Sequence, residues 1–235
     1  MVAEVSSDAA LKLYRSGVTL YLKHVPEVVA VASDLARALD VPRDRIWYTI
    51  FCNQPGATTR AHFDPVDTMT LQIKGSKRWR VAPNVFAPDP MVSWTTLDGT
   101  EKYAELWLYA HDELPAAIPA DREEYALKPG AMLNVPRGFW HETDSNEESM
   151  SLHLHLVHLP WVDVAMASLR SVLMRDAAWR KSPIELWDRD QAATNARELE
   201  SLLSSLVEAA SMLTSDWQHC CASLHAPQSV PVRSS

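Results

Sequence analysis

With 235 residues, 47% of them hydrophobic and 22% charged, the chain is long enough to bury a core and has an ordinary globular composition. A formal net charge of −8 sets the whole-protein field against nucleic acid and anionic lipid as partners. Cys52 and the adjacent pair Cys220-Cys221 make no disulfide framework, no apolar run reaches membrane-span length, and the N-terminal residues lack a signal-peptide pattern, so a cytoplasmic location is expected.

In chain order, residues 1–45 read as helical around a short extended piece at 18–22. Val28, Val29, Ala32, Leu35, Ala36 and Leu39 recur at helical spacing until Pro42 limits the run. Residues 46–160 read as strands and turns. β-formers fill 46–52, Gln54-Pro55-Gly56 marks a turn, and strands over 68–73 and 77–81 flank Gly75-Ser76 as a two-residue hairpin turn. Residues 83–122 are proline-rich with little periodicity. They predict a long irregular excursion with a short helix near 103–109, of the kind that serves as a lid or binding loop. Pro129-Gly130 restarts strands at 131–135 and 149–157. From residue 162 the pattern is helical: Val164, Ala167, Ser168, Ser171, Val172 and Arg175 share one stripe, and Leu199, Leu202, Leu203, Leu206, Ala210 and Leu213 another. The expected organisation is α+β: an N-terminal segment 1–45, a core 46–160, a helical region 161–219 and a flexible tail 220–235.

One constellation carries chemistry. In His62-Phe63-Asp64 the imidazole and carboxylate leave the same face of a strand, so both can reach one ion while Phe63 packs behind. His141 is the candidate third ligand, because Pro136-Arg137-Gly138 makes a turn that enters a new strand there. Two imidazoles and one carboxylate form the facial triad of non-haem Fe(II) oxygenases and leave coordination positions for oxidant and cosubstrate. The same three residues suit a catalytic zinc ion, and His62 with Asp64 also suits a plain hydrogen-bonded pair; spacing alone does not separate these.

Alternation around Gly75-Ser76 adds a second signal. In the expected hairpin Lys74 faces Lys77, Gln72 faces Trp79 and Thr70 faces Val81. One face then carries Thr68, Thr70, Gln72, Lys77 and Trp79, and the other Met69, Leu71 and Ile73 with Arg78 and Arg80. A lysine pointing inward requires an anion, and the far carboxylate of a dicarboxylate chelating the metal would meet it. Thr59 could add a hydroxyl donor. The plainer alternative leaves Lys77 in solvent at the end of a hairpin.

Thr59-Arg60-Ala61-His62-Phe63-Asp64, the run from Leu71 to Val81, the run from Leu127 to His141, and Ser151-Leu152-His153-Leu154 together resemble the JmjC and cupin-like 2-oxoglutarate oxygenases. The ribosomal oxygenase branch, which hydroxylates ribosomal protein side chains, is the one they resemble in particular. The resemblance spans about residues 11–180. It implies a double-stranded β-helix (cupin or jelly-roll) core, with His62, Asp64 and His141 as iron ligands and Lys77 as the 2-oxoglutarate anchor. Thr59 falls at a cosubstrate hydroxyl position, and the helices after Trp161 pack on the core and often dimerise it. The expected reaction is hydroxylation of an amino-acid side chain in a peptide or protein, consuming dioxygen and 2-oxoglutarate. A small-molecule hydroxylase, an N-methyl-lysine demethylase and a non-catalytic metal-binding cupin scaffold are the alternatives.

His153 and His155 share one face, expected inward, as structural histidines or as groups close to the cosubstrate. His111 is expected in solvent. Trp94, Trp107, Tyr109 and Trp140 suit either a substrate entrance or packing.

Overall fold

The computed structural model describes residues 6–23, 25–96, 105–110, 113–183, 189–204 and 206. Their contacts divide them into two compact units, one ending at His158 and the other beginning at Leu159.

The first unit is built from strands that alternate side chains between a buried interior and an outer face. They are β1 (Leu20–Leu22), β2 (Ile46–Asn53), β3 (Thr58–Phe63), β4 (Val66–Lys74) and β5 (Lys77–Ala82). Then come β6 (Trp94–Thr95), β7 (Glu123–Leu127), β8 (Met132–Val135), β9 (Trp140–Asp144) and β10 (Ser149–Val157). They form two five-stranded sheets, ordered β1-β2-β10-β4-β8 and β6-β3-β9-β5-β7, with every pairing antiparallel. This is the expected jelly-roll core, and with its helices the chain is α+β.

Each outer face is covered differently. On the first sheet lies α2 (Pro26–Ala38), where Pro26 starts the helix without sacrificing a hydrogen bond. Its buried residues Val28, Ala32 and Ala36 recur every fourth position. The small Ala32 and Ala36 pack with Ile46, and Val28 with Ile50, Cys52 and Leu152. On the second sheet, Ala61, Phe63, Ala82 and Trp140 pack against Trp94, Ala87, Leu106 and Ile118. The proline-rich excursion is therefore a folded cover for that sheet. It contributes β6 and a 3-10 turn at Leu106–Leu108 inside the expected helical stretch. Residues 97–104 lie outside the description.

The expected hairpin across Gly75-Ser76 does not form. β4 pairs with β10 and β8, whereas β5 pairs with β9 and β7, so Gly75-Ser76 is a corner at which the chain changes sheets. Gly75 has φ +64, and a Cβ there would stand 2.0 Å from the Glu148 carbonyl oxygen, so only glycine turns this corner. The face assignment survives because alternation fixes it whatever the partner strand. Thr68, Thr70, Gln72, Lys77 and Trp79 are all buried, each at 3% exposure or less. On the outside Arg78 pairs with Asp144, and Arg80 with Glu124, Glu142 and Asp144.

The interior is organised in rows. One holds Phe51, Ser151 and Gln72; the next Thr49, His153 and Thr70; the third Trp47, His155, Thr68 and Val135. On the facing sheet Thr59, Thr143 and Trp79 form one row, and His62, His141 and Val81 the next.

The second unit contains α3 (Trp161–Leu173), with Ser168 and Val172 of the expected stripe buried, and α4 (Ala192–Ser204). Leu199 and Leu203 on α4 are about half exposed. Ala210, Leu213, Cys220 and Cys221 lie outside the described residues, as does His111. No helix among the described residues is long and apolar enough to cross a membrane.

Candidate metal centre

His62 reaches the interior because of a local irregularity. Thr59 pairs with Thr143 and His62 with His141, so three steps along β3 match two along β9. Residues 59 and 62 would face opposite ways on a regular strand; the bulge turns both inward and sets His62 directly across from His141.

Asp64 follows the end of β3, and its carbonyl accepts from Gly138 N at 2.9 Å. The Pro136-Arg137-Gly138 turn that delivers His141 is therefore tied to the backbone of Asp64. The turn is held from outside as well. Arg137 donates to the Asp89 and Pro90 carbonyls at 2.9 and 2.8 Å, and its own N–H to Asp67 Oδ1 at 2.7 Å. Gly138 has φ +81, and a Cβ there would lie 2.6 Å from Pro90 Cδ.

The three side chains converge: their ligand atoms all lie within 4.8 Å of one another. Asp64 Oδ2 is 3.7 Å from His62 Nε2 and 3.7 Å from His141 Nε2. That is too long for a hydrogen bond, yet it fits two atoms that each stand about 2.1 Å from a shared ion. Both imidazoles are oriented for the purpose. His62 Nδ1 is 2.7 Å from the Arg60 carbonyl and His141 Nδ1 is 3.0 Å from the Phe139 carbonyl, so each donates there and leaves its Nε2 lone pair inward. Ser93 Oγ donates to Asp64 Oδ1 at 2.6 Å, which leaves Oδ2 for the histidines.

Electrostatics agree with this donor set. Burial works against charge on Asp64, but His62, His141 and the Ser93 hydroxyl outweigh it and hold the carboxyl below its ordinary range. His141 is pushed down to about 3 by burial and then by neighbouring His62, so it is neutral near pH 7 and keeps its Nε2 lone pair. The site is not sealed: His62 and Asp64 keep 21% and 26% of their side chains exposed, against 7% for His141.

The rows lead from here to Lys77. Thr59, half-buried, stands one row from the triad toward that end. Lys77 is 3% exposed, its Nζ donates to Ser151 Oγ at 3.5 Å, and it lies 5.6 Å from the centre of the Phe51 ring. No carboxylate meets it among the described residues, and burial pushes it down to about 8. Thr70 Oγ1, Gln72 Oε1 and Trp79 Nε1, also interior, are buried without a hydrogen-bond partner among the described residues. His153 and His155 are buried on the same inner face, as expected.

Trp94 and Trp140 are packing residues: each makes an edge contact with the other at 5.6 Å, and Trp140 a further one with Phe63 at 5.0 Å. Tyr109 accepts from Met91 N at 2.8 Å inside the same cover. Sequence reading missed Ser93. It sits in the irregular excursion, and nothing in its neighbourhood marks a hydroxyl aimed at Asp64.

A family model described as the JmjC domain matches residues 44–163, which includes all three converging side chains and Lys77. The chain belongs to the JmjC domain family. The match to YxbC, an uncharacterized protein of Bacillus subtilis (strain 168), is 29% identical over 218 residues and covers 89% of this chain and 66% of that one. Ribosomal oxygenase 1 of Danio rerio is 26% identical over 140 residues, covering 56% of this chain and 23% of its own. The bifunctional lysine-specific demethylase and histidyl-hydroxylase NO66 of Caenorhabditis elegans is 28% identical over 127 residues, 47% of this chain and 15% of its own. The chain thus spans less than two thirds of each of these JmjC relatives.

Proposed function

We propose that this JmjC protein is an Fe(II)- and 2-oxoglutarate-dependent dioxygenase that hydroxylates an amino-acid side chain in a peptide or protein. The observation that carries the reading is the combination, inside one barrel, of a partly open His62–Asp64–His141 cluster and a buried lysine with no carboxylate partner among the described residues. His62 Nε2, His141 Nε2 and Asp64 Oδ2 would hold the iron, and the donor set is that of the facial triad.

The cosubstrate fits on two counts. A lysine buried to 3% exposure is costly without an anion, and the Thr70 hydroxyl and Trp79 N–H, buried without a partner among the described residues, are donors for one. Lys77 also stands four residues along β5 from Val81, the partner of His141, roughly 13 Å at a strand's rise. Thr59, one row from the triad, would add a hydroxyl. Once bound, Fe(II) and 2-oxoglutarate supply the oxidising power: one atom of O2 goes to the cosubstrate as it loses CO2 to become succinate, and the other to a C–H bond.

The chain's residues would hold the ligands and keep His141 neutral, and the His62–Asp64 side of the cluster is open to solvent. A peptide substrate would approach from there. The ribosomal oxygenase and histidyl-hydroxylase relatives favour a protein side chain as the target.

The test is formation of succinate from 2-oxoglutarate with Fe(II) and air, run with a panel of ribosomal-protein peptides and followed by mass spectrometry. The reading expects iron-dependent succinate and one peptide that gains a single oxygen atom. Succinate formation that survives iron removal would count against it, and turnover that needs neither O2 nor 2-oxoglutarate would favour a zinc hydrolase.

A further inference from the structure

His155 lies on the inner face of β10, opposite Trp47 on β2 and Thr68 on β4, one row beyond His153. Its ring stacks under Trp47, with centroids 3.7 Å apart and planes 19° from parallel, and the residue is 6% exposed. Nδ1 is 3.0 Å from Thr68 Oγ1, whereas Nε2 is buried and meets no partner among the described residues.

The threonine decides which nitrogen carries the proton. Thr68 is 3% exposed, and the bond to His155 is its hydroxyl's one partner among the described residues. With the proton on Nδ1, both the Thr68 O–H and the Nε2 lone pair would be left unpaired, whereas with the proton on Nε2 that N–H is the single unpaired group of the two side chains. Thr68 therefore donates to Nδ1, and on that ground the imidazole proton is assigned to Nε2. His155 is a fixed, buried N–H donor lacking an acceptor. Its ring lies 6.0 Å from that of His153, which lies 5.5 Å from Trp79, and Trp79 in turn lies 5.9 Å from His141.

We propose that His155 Nε2–H anchors the keto-acid end of the cosubstrate by donating to a carboxylate oxygen there, while Lys77 anchors the far end. This rests on the oxygenase reading above. Depth selects the cosubstrate over the oxidised substrate as the ligand. A peptide meets the open side formed by His62 and Asp64, whereas His155 is 6% exposed and the half-exposed Trp47 ring lies over it. His153, by contrast, is committed to Ser151 Oγ at 3.1 Å and faces the lysine end.

The experiment is an anaerobic titration of the Fe(II)-loaded full chain with 2-oxoglutarate and, separately, with 2-oxobutyrate, which lacks the far carboxylate. The visible charge-transfer absorption of an Fe(II)–2-oxo acid chelate is the readout. His155→Phe keeps a stacking ring and removes the donor; His155→Gln returns an N–H near the place of Nε2. A hydrogen bond to a charged group predicts that His155→Phe weakens both ligands about tenfold or more, with most of the loss recovered in His155→Gln. Lys77→Met should weaken 2-oxoglutarate alone. Thr68→Val frees the proton to move to Nδ1 and should weaken both ligands; it decides the matter if His155→Phe does not fold. Wild-type affinity for both keto acids in folded His155→Phe, or in Thr68→Val, overturns the role of His155 and leaves the oxygenase reading standing. Absence of any chelate in the wild-type protein overturns both.

Discussion

Ser93 holds Asp64 by one oxygen: its hydroxyl lies 2.6 Å from Oδ1, and only Oδ2 is turned toward His62 and His141. The excursion that covers the second sheet thereby reaches the Asp64 carboxylate through this hydroxyl. Partners of this kind orient ligating carboxylates, and their loss typically costs 10–100-fold in metal affinity. Ser93→Ala should weaken Fe(II) or Mn(II) binding by about that range in a chelator-competition titration, and Ser93→Thr should retain most of it. Equal metal affinity in wild type and Ser93→Ala would show that the hydroxyl does nothing for the ligand.

Gly138 couples the fold to the same centre. Its φ of +81 disfavours any side chain, and a Cβ would press within 2.6 Å of Pro90. Gly138→Ala should cost ~1–3 kcal/mol in urea unfolding, since a left-handed non-glycine residue is strained even before the clash. It should also weaken metal binding, because this turn delivers His141 and bonds the Asp64 carbonyl. A variant as stable as wild type would mean that the Arg137–Pro90 clamp yields freely.

Lys77 gives a pH dependence with a definite sign. Burial pushes its ammonium down from 10.5 to about 8. A dicarboxylate binds the protonated form, so affinity should be flat below pH 8. Above it, binding must also take up a proton, and the apparent Kd for 2-oxoglutarate should rise by about tenfold per pH unit. Binding of 2-oxobutyrate should lack this rise, and an identical profile for the two acids would remove Lys77 from the far carboxylate.

Trp94 belongs to the cover, with 7% of its surface exposed and its indole in edge contact with Trp140. Trp94→Ala should destabilise the protein by about 3–5 kcal/mol, the usual cost of deleting a buried aromatic. Thermal unfolding checks this; a loss below about 1 kcal/mol would return Trp94 to the list of entrance residues.

What the sequence made legible follows the range of the forces involved. Alternation is local, so the inward set Thr68, Thr70, Gln72, Lys77 and Trp79 was readable, as was β10 with both histidines on one face. The partners of those strands were not. Whether Gly75-Ser76 closes a hairpin or turns a corner depends on Glu148, more than seventy residues away, whose carbonyl occupies the space beside Gly75. The bulge in β3 is likewise set by its register on β9, although His62-Phe63-Asp64 and His141 were visible as a candidate set without it. β6 and β7 were missed because a two-residue strand and the exposed, acidic start of Glu123–Leu127 carry little hydrophobic period. Ser93 was out of reach for the same reason: it acts across 29 residues from a segment with no pattern of its own.

The most direct test of the central claim is a crystal structure of the full chain grown anaerobically with Fe(II) and 2-oxoglutarate. The account predicts iron bound by His62 Nε2, Asp64 Oδ2 and His141 Nε2, with the cosubstrate's far carboxylate at Lys77 Nζ. Iron held elsewhere, or a dicarboxylate that leaves Lys77 without an anion, would contradict it.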